Sequence, residues 1–335
     1  MLNIAIVGMG GIGNVHARVY RDNPLAQIVA VCDIIPEKAD KAGAEYGVPA
    51  FYSVAELLAA GLPIDAVSVT TAGVENGGDH YVPTMQVLEH GGIAVLGEKP
   101  ISNELAKAQE MVALAAAKGT RYGVNLNHRF TPAAERARSW LDDGRLGTLN
   151  MLNMRMWIPN PNESSPHFHI RALHPHSIDV MRYFAGDAKD VYCTFRKGQG
   201  RTIWSNLQAN ILFENGVLGH LTGSYDGGGA FGLEQCELVA SEARVVITDA
   251  CVELALYPRR STDIETFTNL GGMTGFMETF DSRIDAWLKD LDAGVPAEAV
   301  NASGADALKA QAVVEACIKS WDERRVVGIT EILGA

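Results

Sequence analysis

The chain has 335 residues, 47% of them hydrophobic and 20% charged, which is ordinary for folded domains and long enough for two of them. Such a composition excludes a collagen, a coiled-coil rod and a disordered tail. Forty Asp and Glu against 28 Lys and Arg give a net charge of −12, and an acidic surface repels phosphate backbones, so no nucleic-acid partner is expected. The five cysteines, Cys32, Cys193, Cys236, Cys251 and Cys317, lie far apart and form no CxxC pair. That argues against a disulfide framework or a cysteine zinc site and fits a reducing compartment. No apolar run reaches the roughly 18 residues that a membrane span needs. The opening MLNIAIVGMGGIG reads as a strand and a glycine loop rather than a targeting signal, so a cytoplasmic protein with no membrane partner is expected.

In chain order, short apolar runs at 3–7, 27–32 (QIVAVC), 66–70 (AVSVT), 93–96 (IAVL) and 121–125 (RYGVN) alternate with helical patterns. Continuous apolar strands spaced by helices predict a doubly wound parallel sheet covered on both faces. One of those helices is expected to start under a Ser102 cap and to stop at Gly119, which suits a left-handed exit. Beyond about residue 125 the texture changes. Segments 149–157, 191–196, 205–213, 217–224, 234–240 and 244–247 are strand-like, and Glu214-Asn215-Gly216 and Gly227-Gly228-Gly229 are turn signals. Few helices separate them, so this half is expected to hold a mostly antiparallel sheet. Ala310, Val313, Val314, Cys317, Ile318 and Trp321 fall on one helical face. The expected division is residues 1–125 and residues 126–335.

Gly8-Met9-Gly10-Gly11-Ile12-Gly13 matches G-x-G-x-x-G. Glycine is needed there because the backbone must turn tightly and approach a pyrophosphate, which the helix start then receives on free amides. The motif alone is weak in a chain with 34 glycines; it gains weight because it follows the first strand and precedes a helix. Asp33 lies twenty positions past Gly13, at the end of the second strand. A carboxylate there accepts from ribose hydroxyls and repels a 2′-phosphate, which favours NAD and makes NADP the lesser candidate. The competing reading is a glycine turn beside a solvated aspartate.

Glu98-Lys99-Pro100 follows the strand IAVL, at the sheet edge where open α/β folds bind ligands. Asn127-His128-Arg129-Phe130, Asp143-Gly144-Arg145-Leu146-Gly147, His176-Ser177-Ile178-Asp179 and Phe184-Ala185-Gly186 follow downstream. With these motifs the chain resembles the Gfo/Idh/MocA oxidoreductases over most of its length. The resemblance implies an N-terminal NAD-binding Rossmann domain and a C-terminal substrate-binding and oligomerisation α/β domain with a large, mostly antiparallel open sheet. It implies hydride transfer between NAD and a secondary hydroxyl of a sugar, polyol or similar carbohydrate-like substrate, in a homodimer or homotetramer formed through the open sheet face. It puts the cofactor on Gly8, Gly10, Gly11, Ile12, Gly13, Asp33, Thr71, His80, Glu98, Lys99 and Pro100, and implies that Lys99 contacts substrate and nicotinamide and that Pro100 is cis. Two alternatives on the same fold are an NAD-assisted glycosidase and a non-catalytic NAD- or sugar-sensing regulator.

The candidate catalytic residues are Lys99, as a cation that orients and acidifies the hydroxyl, and His176, as the group that takes its proton. The alternatives are a surface lysine paired with Glu98 and a histidine packing its helix. Asn127, Arg129, Arg171, His174 and Asp179 are candidate substrate ligands. Arg129 and Arg171 equally suit structural ion pairs, and Asp179 equally suits the helix dipole. His167, His169, His174 and His176 cluster within ten residues, yet the resemblance implies no metal and none is expected. Trp157, Tyr225 and Phe276 suit either a sugar platform or the core. Two departures from related sequences matter. Ala172 stands where the DxGxH relatives carry an aspartate before the histidine, and the loop from Thr71 to His80 is long. With Arg171 and His174 beside Ala172, an anionic or bulkier substrate is expected over myo-inositol.

Overall fold

The computed structural model describes residues 1–227, 233–248 and 253–334. They form two compact units: residues 1–126 with 280–308, and residues 127–279 with 309–335.

The first unit begins with β1 (Leu2–Val7), α1 (Gly11–Asp22), β2 (Ala26–Cys32), α2 (Pro36–Tyr46), β3 (Ala50–Phe51) and α3 (Val54–Ala59). Then come β4 (Ala66–Val69), α4 (Tyr81–His90), β5 (Ala94–Gly97), α5 (Leu105–Lys118) and β6 (Tyr122–Val124). The sheet is parallel throughout, in the order β3-β2-β1-β4-β5-β6. This is the doubly wound dinucleotide-binding order, with its topological switch between β1 and β4. The apolar runs explain it: Ile4, Ile6, Val31, Val67, Val69 and Leu96 are all fully buried, as strands covered on both faces must be.

Helix α5 departs from expectation at its start. Its N-cap is Glu104, and Ser102 Oγ instead accepts the Glu104 amide at 3.0 Å in the turn before the helix. A serine hydroxyl serves such a local turn as readily as a helix cap. The helix ends at Gly119 with φ +61°, as the sequence suggests.

The second unit starts with α6 (Pro132–Asp142), β7 (Leu149–Trp157), α7 (Phe168–Ala185), β8 (Ala188–Arg196), β9 (Asn206–Phe213) and β10 (Leu218–Ser224). It continues with β11 (Leu233–Ala240), β12 (Ala243–Thr248), β13 (Glu253–Pro258) and β14 (Glu265–Thr268). Its nine-stranded sheet has the order β14-β13-β12-β11-β7-β10-β9-β8-β15, where β15 is Val327–Gly328. All pairs are antiparallel except β7 with β10. That parallel pair requires a crossover, and α7 with β8 and β9 supplies it. Helix α7 covers one face; on the other, β7 and β10 turn Met151, Trp157 and Leu218 outward. The hairpin between β9 and β10 turns at Gly216, φ +85°. Gly228, Gly229 and Cys251, named in the sequence reading, lie outside the described residues.

The C-terminal segment contains α8 (Glu278–Asp292), α9 (Gly304–Glu323), β15 and α10 (Ile329–Leu333). The expected face of α9 is buried at Ala310, Val313, Val314, Cys317 and Ile318. Residues 280–308, placed in the second domain by the single expected division, group instead with the first unit. The reason is apolar packing: Phe280, Ile284, Trp287, Leu288 and Leu291 join Ile4, Ile6, Tyr20 and Leu96 in one core. Among the described residues no helix is long and apolar enough to cross a membrane.

Trp287 is fully buried in that core. Trp287→Ala should cost about 3–5 kcal/mol of stability, read as a fall in the urea midpoint by far-UV circular dichroism. A cost below about 1 kcal/mol would show that α8 does not carry this core.

Candidate active site

In the first unit the glycines divide their work. Gly8 has φ +98°, and a Cβ there would lie 2.6 Å from the Thr71 amide nitrogen. A Cβ at Gly13 would lie 1.9 Å from the Gly8 carbonyl oxygen, so Gly13 lets α1 press against the loop. Around Gly10 and Gly11 the space is open, with no heavy atom within 4 Å of a built Cβ. Gly10 caps α1 without a side-chain hydrogen bond, and Ile12 is 39% exposed. Open backbone amides at a helix start form a phosphate cradle that any side chain would narrow. Thr70 Oγ1 donates to the Gly8 carbonyl at 2.8 Å and fixes the loop from below.

Asp33 follows β2 and is buried. Its Oδ2 accepts the Met9 amide at 2.7 Å and its Oδ1 the Ile35 amide at 2.9 Å. The carboxylate is therefore built into the loop, not solvated, and each oxygen keeps a further lone pair. The next residues, Ile34 and Ile35, are exposed and carry no charge for a 2′-phosphate. These residues fit NAD.

At the end of β5, Glu98 is buried with a set of partners. His16 Nε2 lies 2.9 Å from its Oε1, Asn125 Nδ2 donates to the same oxygen at 2.6 Å, and the Lys99 amide reaches Oε2 at 3.3 Å. His16 Nδ1 lies 2.7 Å from Ser68 Oγ. Burial works against the charged form of Glu98, but the His16 and Asn125 hydrogen bonds outweigh it and hold the carboxyl below its ordinary value. Burial pushes the Lys99 ammonium below the usual lysine value, and the Glu98 charge opposes that shift. The Lys99–Pro100 bond is cis. His80 spans the long loop: its Nδ1 is 2.8 Å from the Pro100 carbonyl and its Nε2 2.9 Å from the Thr71 carbonyl. Thr71 Oγ1 donates to the Asp79 carbonyl at 2.7 Å. Thr71, His80 and Pro100 thus hold one another by main-chain carbonyls.

In the second unit, His176 lies inside α7, not at a helix start, because α7 runs on through Pro175. Its ring stacks on that of His128, centroids 4.1 Å apart with planes at 27°. His128 Nδ1 is 2.6 Å from Glu234 Oε1 on β11, and Phe276 lies 5.7 Å from the His128 ring. Glu234 carries no motif in the sequence; only the register of β11, antiparallel to β7, brings it there.

Several expected substrate ligands have other occupations. Arg129 Nε donates to Asp179 Oδ2 at 2.8 Å and Nη2 to Oδ1, a buried bidentate pair. Arg171 is paired with Glu315, and Asn127 Nδ2 donates to Thr279 Oγ1 at 2.5 Å. His174 packs under the sheet. Its Nε2 lies 3.0 Å from His169 Nε2 and its Nδ1 3.0 Å from Ser177 Oγ, and a Cβ on Gly223 would strike it. Burial pushes His169 down to about 3 and His174 well below its ordinary value. Both are neutral at neutral pH, so neither His174 nor the neutralised Arg171 supplies the positive field that an anionic substrate was expected to meet. Tyr225 is buried against His169, whereas Trp157 and Phe276 are partly exposed. Among the described residues no three His, Cys, Asp or Glu side chains converge as a metal-ligand set.

A parallel sheet of this order, an open glycine cradle and an acid after its second strand define a dinucleotide-binding α/β protein. Residues 2–126 match the oxidoreductase family with an NAD-binding Rossmann fold, and residues 134–246 match the Gfo/Idh/MocA C-terminal domain. The chain belongs to the Gfo/Idh/MocA oxidoreductase family. It is 23% identical to inositol 2-dehydrogenase of Rhizobium meliloti, over 98% of this chain and 99% of that one. A levoglucosan dehydrogenase in complex with NADH and levoglucosan shares the fold, with a TM-score of 0.86 at 19% identity over 98% of each chain. So does an oxidoreductase from Agrobacterium radiobacter in complex with NAD+, L-tartaric acid and magnesium, with a TM-score of 0.85 at 19% identity over 99% of each chain.

Gly13→Ala should weaken NAD binding on the order of tenfold or more, about 1.4 kcal/mol, measured by titration calorimetry; unchanged affinity would mean that α1 need not press on the loop. The histidine pair makes a second prediction. In the unfolded chain both histidines titrate near 6.5; folded, His169 titrates near 3. Between those values the unfolded state binds more protons, so stability falls with falling pH. At pH 4.5 His169 alone should remove about 2 kcal/mol relative to pH 7. The urea midpoint of His169→Gln should depend less on pH over that window than that of the wild type.

Proposed function

We propose that this oxidoreductase transfers a hydride between NAD and a secondary hydroxyl of a neutral sugar or polyol. The observation that carries the reading is Lys99: a half-buried lysine whose ammonium is pushed below its ordinary value, following β5 in a loop locked by Glu98 and His80. The similarity to an inositol dehydrogenase and to a levoglucosan dehydrogenase supports a hydroxylated substrate. The pairing of Arg129 and Arg171 with carboxylates favours a neutral one.

When bound, NAD supplies the nicotinamide that accepts the hydride. Gly8, Gly10, Gly11, Ile12 and Gly13 would seat its pyrophosphate, Asp33 its adenosine ribose, and Thr71, His80, Glu98 and Pro100 would shape the nicotinamide end. Lys99 Nζ binds the substrate hydroxyl and lowers its pKa, as a cation does for a nearby oxygen. A ring nitrogen of His176 takes the hydroxyl proton. Asn127 and Arg129 flank His128, and the Arg129–Asp179 pair ties that turn to α7, which carries His176. We further propose a cytoplasmic homo-oligomer that assembles through the sheet face bearing Met151, Trp157 and Leu218; light scattering of the purified chain tests this directly.

With a panel of polyols, sugars and sugar acids, NADH formation should appear with a neutral member. Lys99→Ala and His176→Ala should each lower kcat by about 10²–10⁴, with NAD affinity changed far less. Wild-type turnover in either variant overturns that residue's role. Asp33→Ala should erase the preference for NAD over NADP in titration calorimetry, and an unchanged preference would place the discrimination elsewhere.

A further inference from the structure

The reaction asks one thing of His176: a ring nitrogen must face the departing proton, so the ring must be held in one orientation. Ala172, one turn earlier on α7, has only a methyl group, and both oxygens of Asp179 accept from Arg129. His128 engages the ring from outside α7. The two imidazoles are stacked at 4.1 Å, and the His128 side chain is 3% exposed. Stacking fixes the plane of a ring but not its position along the stack unless the partner is itself anchored. Glu234 provides that anchor: its Oε1 lies 2.6 Å from His128 Nδ1, and its side chain is 11% exposed. Phe276 packs on the same His128 ring.

We propose that His128, tethered by Glu234, is a positioning residue for His176, a carboxylate–imidazole pair that orients the proton acceptor through ring stacking. This rests on the reading of His176 as the proton acceptor. The pair has a second consequence. When His176 takes the proton, the O–H bond of the substrate breaks and its electron pair forms the carbonyl, while the C–H bond breaks and its hydrogen leaves with both electrons as the hydride that NAD accepts; positive charge then appears on the His176 ring. A carboxylate one ring away favours that charge. Neither His128 nor Glu234 needs to touch the substrate.

The test compares four variants by kcat, by KM for the alcohol and for NAD, and by the ¹H–¹³C NMR signal of the His176 ring. His128→Ala should lower kcat about 10–100-fold with KM for NAD within threefold, and should move the His176 ring signal as the stacked neighbour is removed. Glu234→Gln should lower kcat about tenfold and broaden that signal. His128→Phe keeps an aromatic ring in the stack and should recover at least a third of the loss on a logarithmic scale. A purely structural role would lower the folded fraction while leaving kcat per folded molecule unchanged. Wild-type kcat in folded His128→Ala and Glu234→Gln, or His128→Phe no better than His128→Ala, overturns the proposal. The fourth variant, His176→Ala, separates the two levels. If it turns over normally, the role of His176 falls and this inference with it. If it is inactive while the His128 and Glu234 variants are normal, the inference alone falls.

Discussion

The first unit is organised around one buried carboxylate. A charge taken out of water is costly unless its oxygens are satisfied, and the cost is met here by donors from separate segments. Glu98 receives His16 from α1, Asn125 from the end of β6 and the main-chain amide of Lys99. His16 is in turn fixed to Ser68 on β4, and the Tyr20 hydroxyl reaches the same serine at 3.3 Å. The glycine-loop helix, β4, the end of β6 and the Lys99 loop are therefore parts of one hydrogen-bonded cluster. No member can shift without leaving a buried polar group unpaired. A lysine whose own charge is disfavoured by burial depends on such a rigid setting for its place.

The second unit solves a related problem with pairs. Helix α7 carries three histidines, two arginines and an aspartate among its eighteen residues, and most of them are buried. The charges are cancelled side by side, Arg129 with Asp179 and Arg171 with Glu315, while His169 and His174 remain neutral and bond to each other. Gly223 on β10 makes the last contact possible, because any side chain there would occupy the His174 ring. Beside His176 lies an aromatic surface built from His128 and Phe276.

Much of this was legible in the sequence where chemistry and local backbone coincide. The glycine loop, Asp33 and Glu98-Lys99-Pro100 lie at strand ends, and their neighbours along the chain fix where they point. The strands of the second half were legible from alternation. What could not be read were pairings across long sequence separations. Arg129 meets Asp179 fifty positions away, and Glu234 meets His128 from 106 positions away. The parallel pairing of β7 with β10 is of the same kind, since alternation gives a strand its buried face but not its partner. The histidine cluster misled for a related reason. Spacing along α7 does not reveal that His174 turns toward Gly223 while His176 stacks on His128.

The discontinuity of the first unit bears on how the protein is made. Its sheet is complete once residue 126 has been synthesised, yet Phe280, Ile284, Trp287 and Leu291, which close its core, come far later. At roughly 5–20 residues per second, the 182 positions from 126 to 308 take about 10–40 s to add. Until α8 is made, late in that interval, the nascent sheet exposes the apolar surface that α8 will cover. The order of synthesis thus makes the nucleotide-binding unit, first to start folding, dependent on a segment that follows nearly all of the second unit's sheet.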